Sequence, residues 1–388
     1  MYKAGSRAWG SDPLSSSIHL TIGATESHAS PVGRSLGATI VRNPADILAL
    51  SGFVSGLAAE PGMLAPRFFL ASLISEPFKP CVVVVEEDTR VAGLVYCKER
   101  HILGIPTGIV VADDTLGAMV AAHPDETDSV MRCALRALLK RKSALRWRLP
   151  AERVPMLLKE SAAAGFDVHF RREGHHGFLQ LPAAYSDFLA GLHRSTRHNL
   201  NRYRRRSEEA GDQFCSELDF AAFCAAAERL LPQSAYRLTR GELQRSLAML
   251  AEMPSRQLVG IRQSNGAWIS LAGLWCTGDR AFMAIQLNDR RLMRESVSVV
   301  LRSCLIEDLI GRGFRTLVFL DGVSKPLSSY TDTREEVIAY IDSRSPGWRL
   351  VRHGCIVLGR LAPTKFANWE RWRDAESLSP DSCATAHS

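Results

Sequence analysis

Residues 81–96, CVVVVEEDTRVAGLVY, and residues 258–275, LVGIRQSNGAWISLAGLW, decide the fold. Each is an apolar run rich in β-branched residues, then a polar turn, then a second apolar run. The turns are Glu86-Glu87-Asp88-Thr89 and Ser264-Asn265-Gly266, whose residue types predict a hairpin in each stretch. Both second strands carry Ala-Gly-Leu at the same point, as Ala92-Gly93-Leu94 and Ala272-Gly273-Leu274. A feature that returns after so long an interval points to an internal duplication.

Working outward, the parallel continues. The first hairpin is followed by an apolar stretch (101–112), a helix (126–142), a short strand (145–149), a second helix (152–164) and a strand from Phe166 to Phe170. The second is followed by a strand (281–287), a helix (296–311) and a strand (316–320). In the helix over 126–142 the apolar residues fall at 130, 131, 134, 135, 138 and 139, the spacing of a helix packed on a sheet. The fold class expected is α+β, with two tandem lobes, each a mixed, mostly antiparallel sheet flanked by helices. Residues 1–38 read as a disordered arm and 39–175 as the N-terminal lobe. Residues 176–372 read as an arginine-rich inter-lobe helix plus the C-terminal lobe, and 373–388 as a flexible tail.

The chain has 388 residues, 46% of them apolar and 23% charged, ordinary values for globular protein of two domains. Its apolar runs are too short to span a bilayer, and residues 1–38 hold no apolar signal region, so a cytoplasmic location is expected. None of the nine cysteines forms a C-x-x-C pair, and most sit in apolar surroundings. That pattern predicts reduced core thiols with neither a disulfide frame nor a metal site. The net charge of +7 favours anionic partners such as phosphates, nucleic acid or a phosphorylated cofactor.

Between the lobes, Tyr185 to Ala210 reads as one long helix. Tyr185, Phe188, Leu189, Leu192, Leu200 and Tyr203 share one side, and Arg194, Arg197, Arg202, Arg204 and Arg205 the other. The basic side is either a solvated face balanced by Glu208 and Glu209 or a phosphate clamp, for which the planar guanidinium fork is suited. A stacking platform for single-stranded nucleic acid is missing.

The string from Ser195 to Gly211, STRHNLNRYRRRSEEAG, resembles the inter-lobe helix of FemAB-like proteins of the GNAT superfamily. So do Ala272-Gly273, then Gln286-Leu287-Asn288-Asp289, then Glu295-Ser296 opening a helix, then Phe319-Leu320-Asp321-Gly322. The resemblance covers roughly residues 80–360. It implies a tandem GNAT fold and an acyltransferase, N-acetyltransferase-like, that moves an acyl group from acetyl-CoA or another acyl-CoA to an amine or hydroxyl. The implied acceptor is a small molecule or one tied to cell-envelope or polysaccharide work. Aminoacyl transfer from charged tRNA is the family's second activity, and a non-catalytic, degenerate GNAT binding protein is a third reading.

The usual (Arg/Gln)-x-x-Gly-x-(Gly/Ala) phosphate loop is absent here. Its counterpart is Arg290-Arg291-Leu292-Met293-Arg294-Glu295-Ser296-Val297-Ser298. That stretch has no glycine, but it offers free helical N–H groups and three arginines. Arg290, Arg291, Arg294, Ser296, Val297 and Ser298 are therefore the candidate cofactor-binding residues. Acyl transfer in a ternary complex needs a base for the acceptor and an acid for the leaving thiolate. Asp289 and Asp321 each follow a strand and serve either as an acidic general base or as turn formers. Glu295 at the helix start serves as base or as helix-terminus charge. The resemblance makes Tyr330 the candidate thiolate-protonating residue, and a buried Tyr bonded to backbone is the other reading. It also adds Lys325 to Arg197, Arg204 and Arg205 as a substrate or phosphate clamp. The C-terminal lobe is expected to be the active one.

Overall fold

The computed structural model describes residues 36–57, 62–88, 90–102, 104–112, 120–142, 144–150, 153–235, 238–320, 327, 329–348 and 350. The tail from 373 lies outside them. So does the arm as far as residue 35, but Leu36–Val41 forms the first strand, β1, within the stretch read as arm. Three short helices follow, α1 (Pro44–Ala49), α2 (Ser51–Leu57) and α3 (Pro66–Ala71). Next come β2 (Phe78–Pro80), β3 (Val82–Glu87), β4 (Arg90–Val95), β5 (Lys98–Ile102), β6 (Ile105–Ala112) and β7 (Val120–Ala122). The first half closes with α4 (Thr127–Arg141), β8 (Ala144–Pro150), α5 (Val154–Ala163) and β9 (Phe166–Gln180).

The second half opens with α6 (Tyr185–Gly191), α7 (Arg194–Glu209), β10 (Gln213–Cys215), α8 (Phe220–Leu230) and α9 (Arg240–Ala251). It continues through β11 (Arg256–Arg262), β12 (Trp268–Thr277), β13 (Arg280–Asn288), α10 (Val297–Gly311), β14 (Thr316–Phe319) and β15 (Thr331–Ser343).

Both expected hairpins form, β3 with β4 and β11 with β12. Both are followed by a strand–helix–strand crossover: β6 lies parallel to β8 across α4, and β13 parallel to β14 across α10. Strands that run parallel need such a crossover, which is why a helix recurs at the same point of each half. The α+β duplication read from the sequence is thus the architecture.

One relationship could not be read from the sequence. The strand order β14-β9-β15-β8 interleaves the halves. β9, from the first half, pairs with β14 of the second, and β15, from the second, pairs with β8 of the first. β9 and β15 also pair with each other from Ser343↔Phe166 to Thr331↔Leu179. The halves thus share one 11-stranded sheet through each other's last strand, while β1, β3, β4 and β7 form a separate four-stranded sheet. α3 binds the halves a second time: its Phe68 packs edge-on against Trp275 of β12, ring centroids 5.3 Å apart.

The repeated glycine does different work in the two halves. A Cβ on Gly93 would sit 2.7 Å from the Val130 side chain of α4, whereas one on Gly273 would sit 2.7 Å from Leu250 of α9. The same tripeptide admits a close helix on different sides of the two sheets.

The single helix expected over 185–210 is two. Leu192 is extended (ψ 145°), and the chain breaks there between α6 and α7. Leu192 is buried in the core while the next N–H, that of His193, donates to the Tyr330 hydroxyl at 2.7 Å. A tertiary partner for that N–H replaces the helical one. Helices α8 and α9 were not read from the sequence at all. Their start signals are present: Asp219 caps α8, and Thr239 and Glu242 form a capping box on α9. They cover one face of the second sheet with Phe223, Leu230, Leu243 and Leu250. α6, α7 and α10 cover the other with Phe188, Leu200, Leu301 and Leu305.

Candidate functional site

The site is built where β13 and β14 part. They pair in parallel from Arg280↔Thr316 to Met283↔Phe319. Beyond Met283, β13 continues five residues to Asn288, paired with β12 alone among the described residues. Register alternation turns every second peptide toward the parted edge. The Asp289 N–H donates to the Ile269 carbonyl on the β12 side (2.9 Å), so the Asn288 carbonyl points the other way. There it accepts from the Ala235 N–H at 2.8 Å, which closes the far end of the gap. Between Met283 and Asn288, no strand among the described residues pairs with that edge of β13. The carboxyl ends of parallel strands are where such crevices take ligands.

The start of α10 stands at the same end. Ser296, its N-cap residue, holds a left-handed conformation (φ 55°, ψ 38°), one that glycine adopts without cost. A serine thus makes the turn for which the usual loop supplies glycine. Its side chain is hydrogen-bonded to the Tyr203 hydroxyl of α7; that bond is the main cause that lowers the Tyr203 pKa, with Arg202 second. Val297 is buried and Ser298 half-buried. The Ser296 carbonyl accepts from the N–H groups of Val299 and Val300. The preceding residues, Arg290–Glu295, form a 3-10 turn that includes Arg294 and Glu295 in its backbone.

Asp289 is buried, and its carboxylate is held by its neighbour. Oδ1 accepts from the Arg291 backbone N–H at 2.9 Å, and both oxygens accept from the Arg291 guanidinium. The guanidinium also donates to Gln233 at 2.7 Å. The Arg291 hydrogen bond holds the Asp289 carboxyl below its ordinary pKa against the opposing effect of burial. Asp289 is therefore ionised and tied down, and it opens the turn into the 3-10 segment. A carboxylate with both oxygens on one guanidinium is a weak base. Arg290 is exposed.

Tyr330 reaches the junction of α6 and α7. Its hydroxyl oxygen accepts the His193 N–H, so the hydroxyl proton remains for another acceptor. Asp321 and Lys325 lie outside the described residues.

The arginines of α7 divide into two kinds. Arg204 turns inward: it lies 2.7 Å from Glu307 of α10, donates to the Tyr185 hydroxyl at 3.1 Å and sits 5.6 Å above that ring's centre. Arg205 is exposed and pairs with Glu209, one turn on. Arg197 is half-buried, and Arg194, Arg202 and Arg206 are exposed.

A row of polar side chains, of which the sequence analysis singled out only Gln286 and Asn288 as part of a motif, lies on the α10 side of the parted strand. Arg302 of α10 donates to Gln286 Oε1 at 2.8 Å and lies 5.6 Å from the Phe319 ring centre. Gln286 Nε2 donates to Asn288 Oδ1 at 3.2 Å, and the Ser270 hydroxyl donates to the same oxygen at 2.6 Å. Alternation along β13 after Ile285 was the signal: a strand with polar residues at 286 and 288 and apolar ones at 285 and 287 has one polar side. Among the described residues, no three His, Cys, Asp or Glu side chains gather as metal ligands. No helix among them is long and apolar enough to cross a membrane.

No family model and no curated protein matches the chain. Solved structures do. FemX aligns over 77% of this chain and 96% of its own, at 10% identity and a TM-score of 0.54. L-PGS from Bacillus licheniformis aligns over 80% of this chain and 95% of its own, at 11% identity and a TM-score of 0.51. At such identities the likeness is one of fold. The chain shares the fold of FemX and of L-PGS.

Proposed function

We propose that the chain is an acyltransferase that takes its acyl group from an acyl-CoA and passes it to an amine or hydroxyl. The parting of β13 from β14 beyond Met283 and Phe319 carries this reading. An extended thiol arm fits a parted strand edge because it can hydrogen-bond as an added strand would. The phosphates of the same donor fit the start of α10. There the helix N-terminus and Ser296, Val297 and Ser298 supply N–H groups, and Arg290, Arg291 and Arg294 lie in the preceding turn. Tyr330 is proposed to protonate the leaving thiolate, since the bond that its hydroxyl makes to His193 uses the oxygen and not the proton. The base is proposed among Asp289, Glu295 and Asp321; the pairing of Asp289 with Arg291 favours the other two. A cell-envelope or polysaccharide acceptor rests on the sequence resemblance. Titration calorimetry with acetyl-CoA and longer acyl-CoAs tests the donor. Binding of at least one supports the reading, and binding of none overturns it.

The exposed arginines of α7 favour a second reading, aminoacyl transfer from charged tRNA. Arg194, Arg202, Arg205 and Arg206 face solvent on one helix. A filter-binding assay is expected to give tRNA affinity that falls with salt and weakens in the Arg202→Ala/Arg205→Ala/Arg206→Ala triple variant. Affinity unchanged in that variant counts against it.

A further inference from the structure

We infer that the Asn288 side-chain amide is a hydrogen-bond donor for a carbonyl oxygen of the bound donor's arm, and that Arg302 sets its orientation through Gln286. This rests on the β13/β14 gap as the donor site. An amide side chain can present either its oxygen or its nitrogen, and its neighbours decide which. Arg302 carries only donors, so Gln286 must turn its oxygen toward Arg302, at 2.8 Å. The Gln286 nitrogen then faces Asn288, which must answer with Oδ1, at 3.2 Å. Ser270 completes that oxygen's shell at 2.6 Å. The chain of constraints leaves Asn288 Nδ2 over. It has no hydrogen-bond partner among the described residues, although Asn288 is only 3% exposed. A buried donor without a partner is costly, and a site that receives an oxygen there is relieved of that cost on binding.

The residue sits at the end of the parted edge, with its backbone carbonyl already taken by Ala235. The carbonyl of β13 is thus taken at this position, and the side-chain amide offers a hydrogen. The ligand chemistry that fits is a neutral carbonyl oxygen. An acyl-CoA supplies this as the amides of its pantetheine arm and as its thioester.

The test uses the full chain, titrated at about pH 8 so that an introduced carboxyl is ionised. Three probes divide the donor: ADP carries phosphates alone, CoA adds the amide carbonyls, and acetyl-CoA adds the thioester. Asn288→Asp keeps the oxygen that Ser270 and Gln286 bind and replaces the donor with a charged acceptor, and ADP reports what the added charge does by itself. Relative to the unaltered chain it is expected to bind CoA or acetyl-CoA about tenfold more weakly and ADP equally. An equal loss for CoA and acetyl-CoA assigns a pantetheine carbonyl; a loss for acetyl-CoA alone assigns the thioester. CoA and acetyl-CoA affinities that both stay unchanged overturn the inference and leave the donor site standing. If the unaltered chain fails to bind CoA or acetyl-CoA more tightly than ADP, the donor-site reading fails, and this inference with it.

Position 302 gives the second arm, and it decides if Asn288→Asp disturbs ADP binding as well. Arg302→Lys still only donates and is expected to keep CoA binding at constant ADP binding. Arg302→Glu only accepts, so it turns Gln286 and then Asn288 around, and it is expected to reproduce the tenfold loss at a distance. Equal CoA-to-ADP ratios in the Lys and Glu variants overturn the orienting role.

Discussion

Arg204 of α7 and Glu307 of α10 lie 2.7 Å apart, and the pair fastens the arginine-rich helix to the helix that opens the candidate site. The same guanidinium donates to the Tyr185 hydroxyl and covers its ring. Arg204→Ala is expected to destabilise the chain by about 1–2 kcal/mol through the lost hydrogen bonds and ring contact. Arg205→Ala, at an exposed position, is expected to stay within about 0.5 kcal/mol. Urea denaturation of the two variants checks the contrast. Equal losses would show that Arg204 has no structural part.

Tyr330→Phe separates two uses of one hydroxyl. Removing it leaves the His193 N–H without the acceptor it has at 2.7 Å, at an expected cost of about 1 kcal/mol. If Tyr330 is also the acid of the proposed transfer, turnover falls by roughly 10²-fold or more while donor binding holds. A thermal melt and a rate measurement on the same variant divide the two.

Gly260→Ala is expected to cost about 1–3 kcal/mol by overpacking. A Cβ there would lie 2.9 Å from the Ser270 carbonyl oxygen, a backbone atom that cannot turn aside, and 2.8 Å from Leu271. Gly37→Ala meets nothing within 4 Å and is expected to be neutral or slightly stabilising. Denaturation midpoints of the pair check this.

Glu160 of α5 receives two hydrogen bonds from Arg136 of α4, at 2.6 and 2.9 Å. These bonds hold its carboxyl below the ordinary value. A group with a depressed folded pKa contributes its stability above the unfolded pKa and loses it as pH falls through the folded one. Glu160→Gln is therefore expected to cost about 1–2 kcal/mol at neutral pH and progressively less as the pH falls through the folded pKa. Urea midpoints over a falling pH series give the answer; a penalty that does not shrink in acid would reject it.

Ile338 lies in β15 between β8 and β9, opposite Arg148 on one side and Arg171 on the other. Ile338→Pro removes an N–H from the strand both halves share and is expected to unfold them together. A single cooperative loss, followed by hydrogen exchange in both halves, is the predicted outcome. Survival of β11–β13 protection in the variant would show that the halves fold apart.

The sequence by itself determined the two hairpins, the crossover strands and helices that follow them, and their repetition. Hairpins, crossover strands and amphipathic helices follow from local turn chemistry and from periods of two and 3.6 residues, which each segment carries within itself. It also pointed to the stretch Arg290–Ser298 and to the arginine-rich helix. The tertiary structure decided what those segments do. The exchange of β9 and β15 is a matter of pairing between strands distant in sequence, for which no local signal exists. The break at Leu192 depends on Tyr330, well over a hundred residues away. Arg204 and Arg205 are alike as letters, and only the approach of Glu307 makes one a fastening and leaves the other in water. The row Ser270–Asn288–Gln286–Arg302 came to light last, because three elements have to meet before its hydrogen bonds exist.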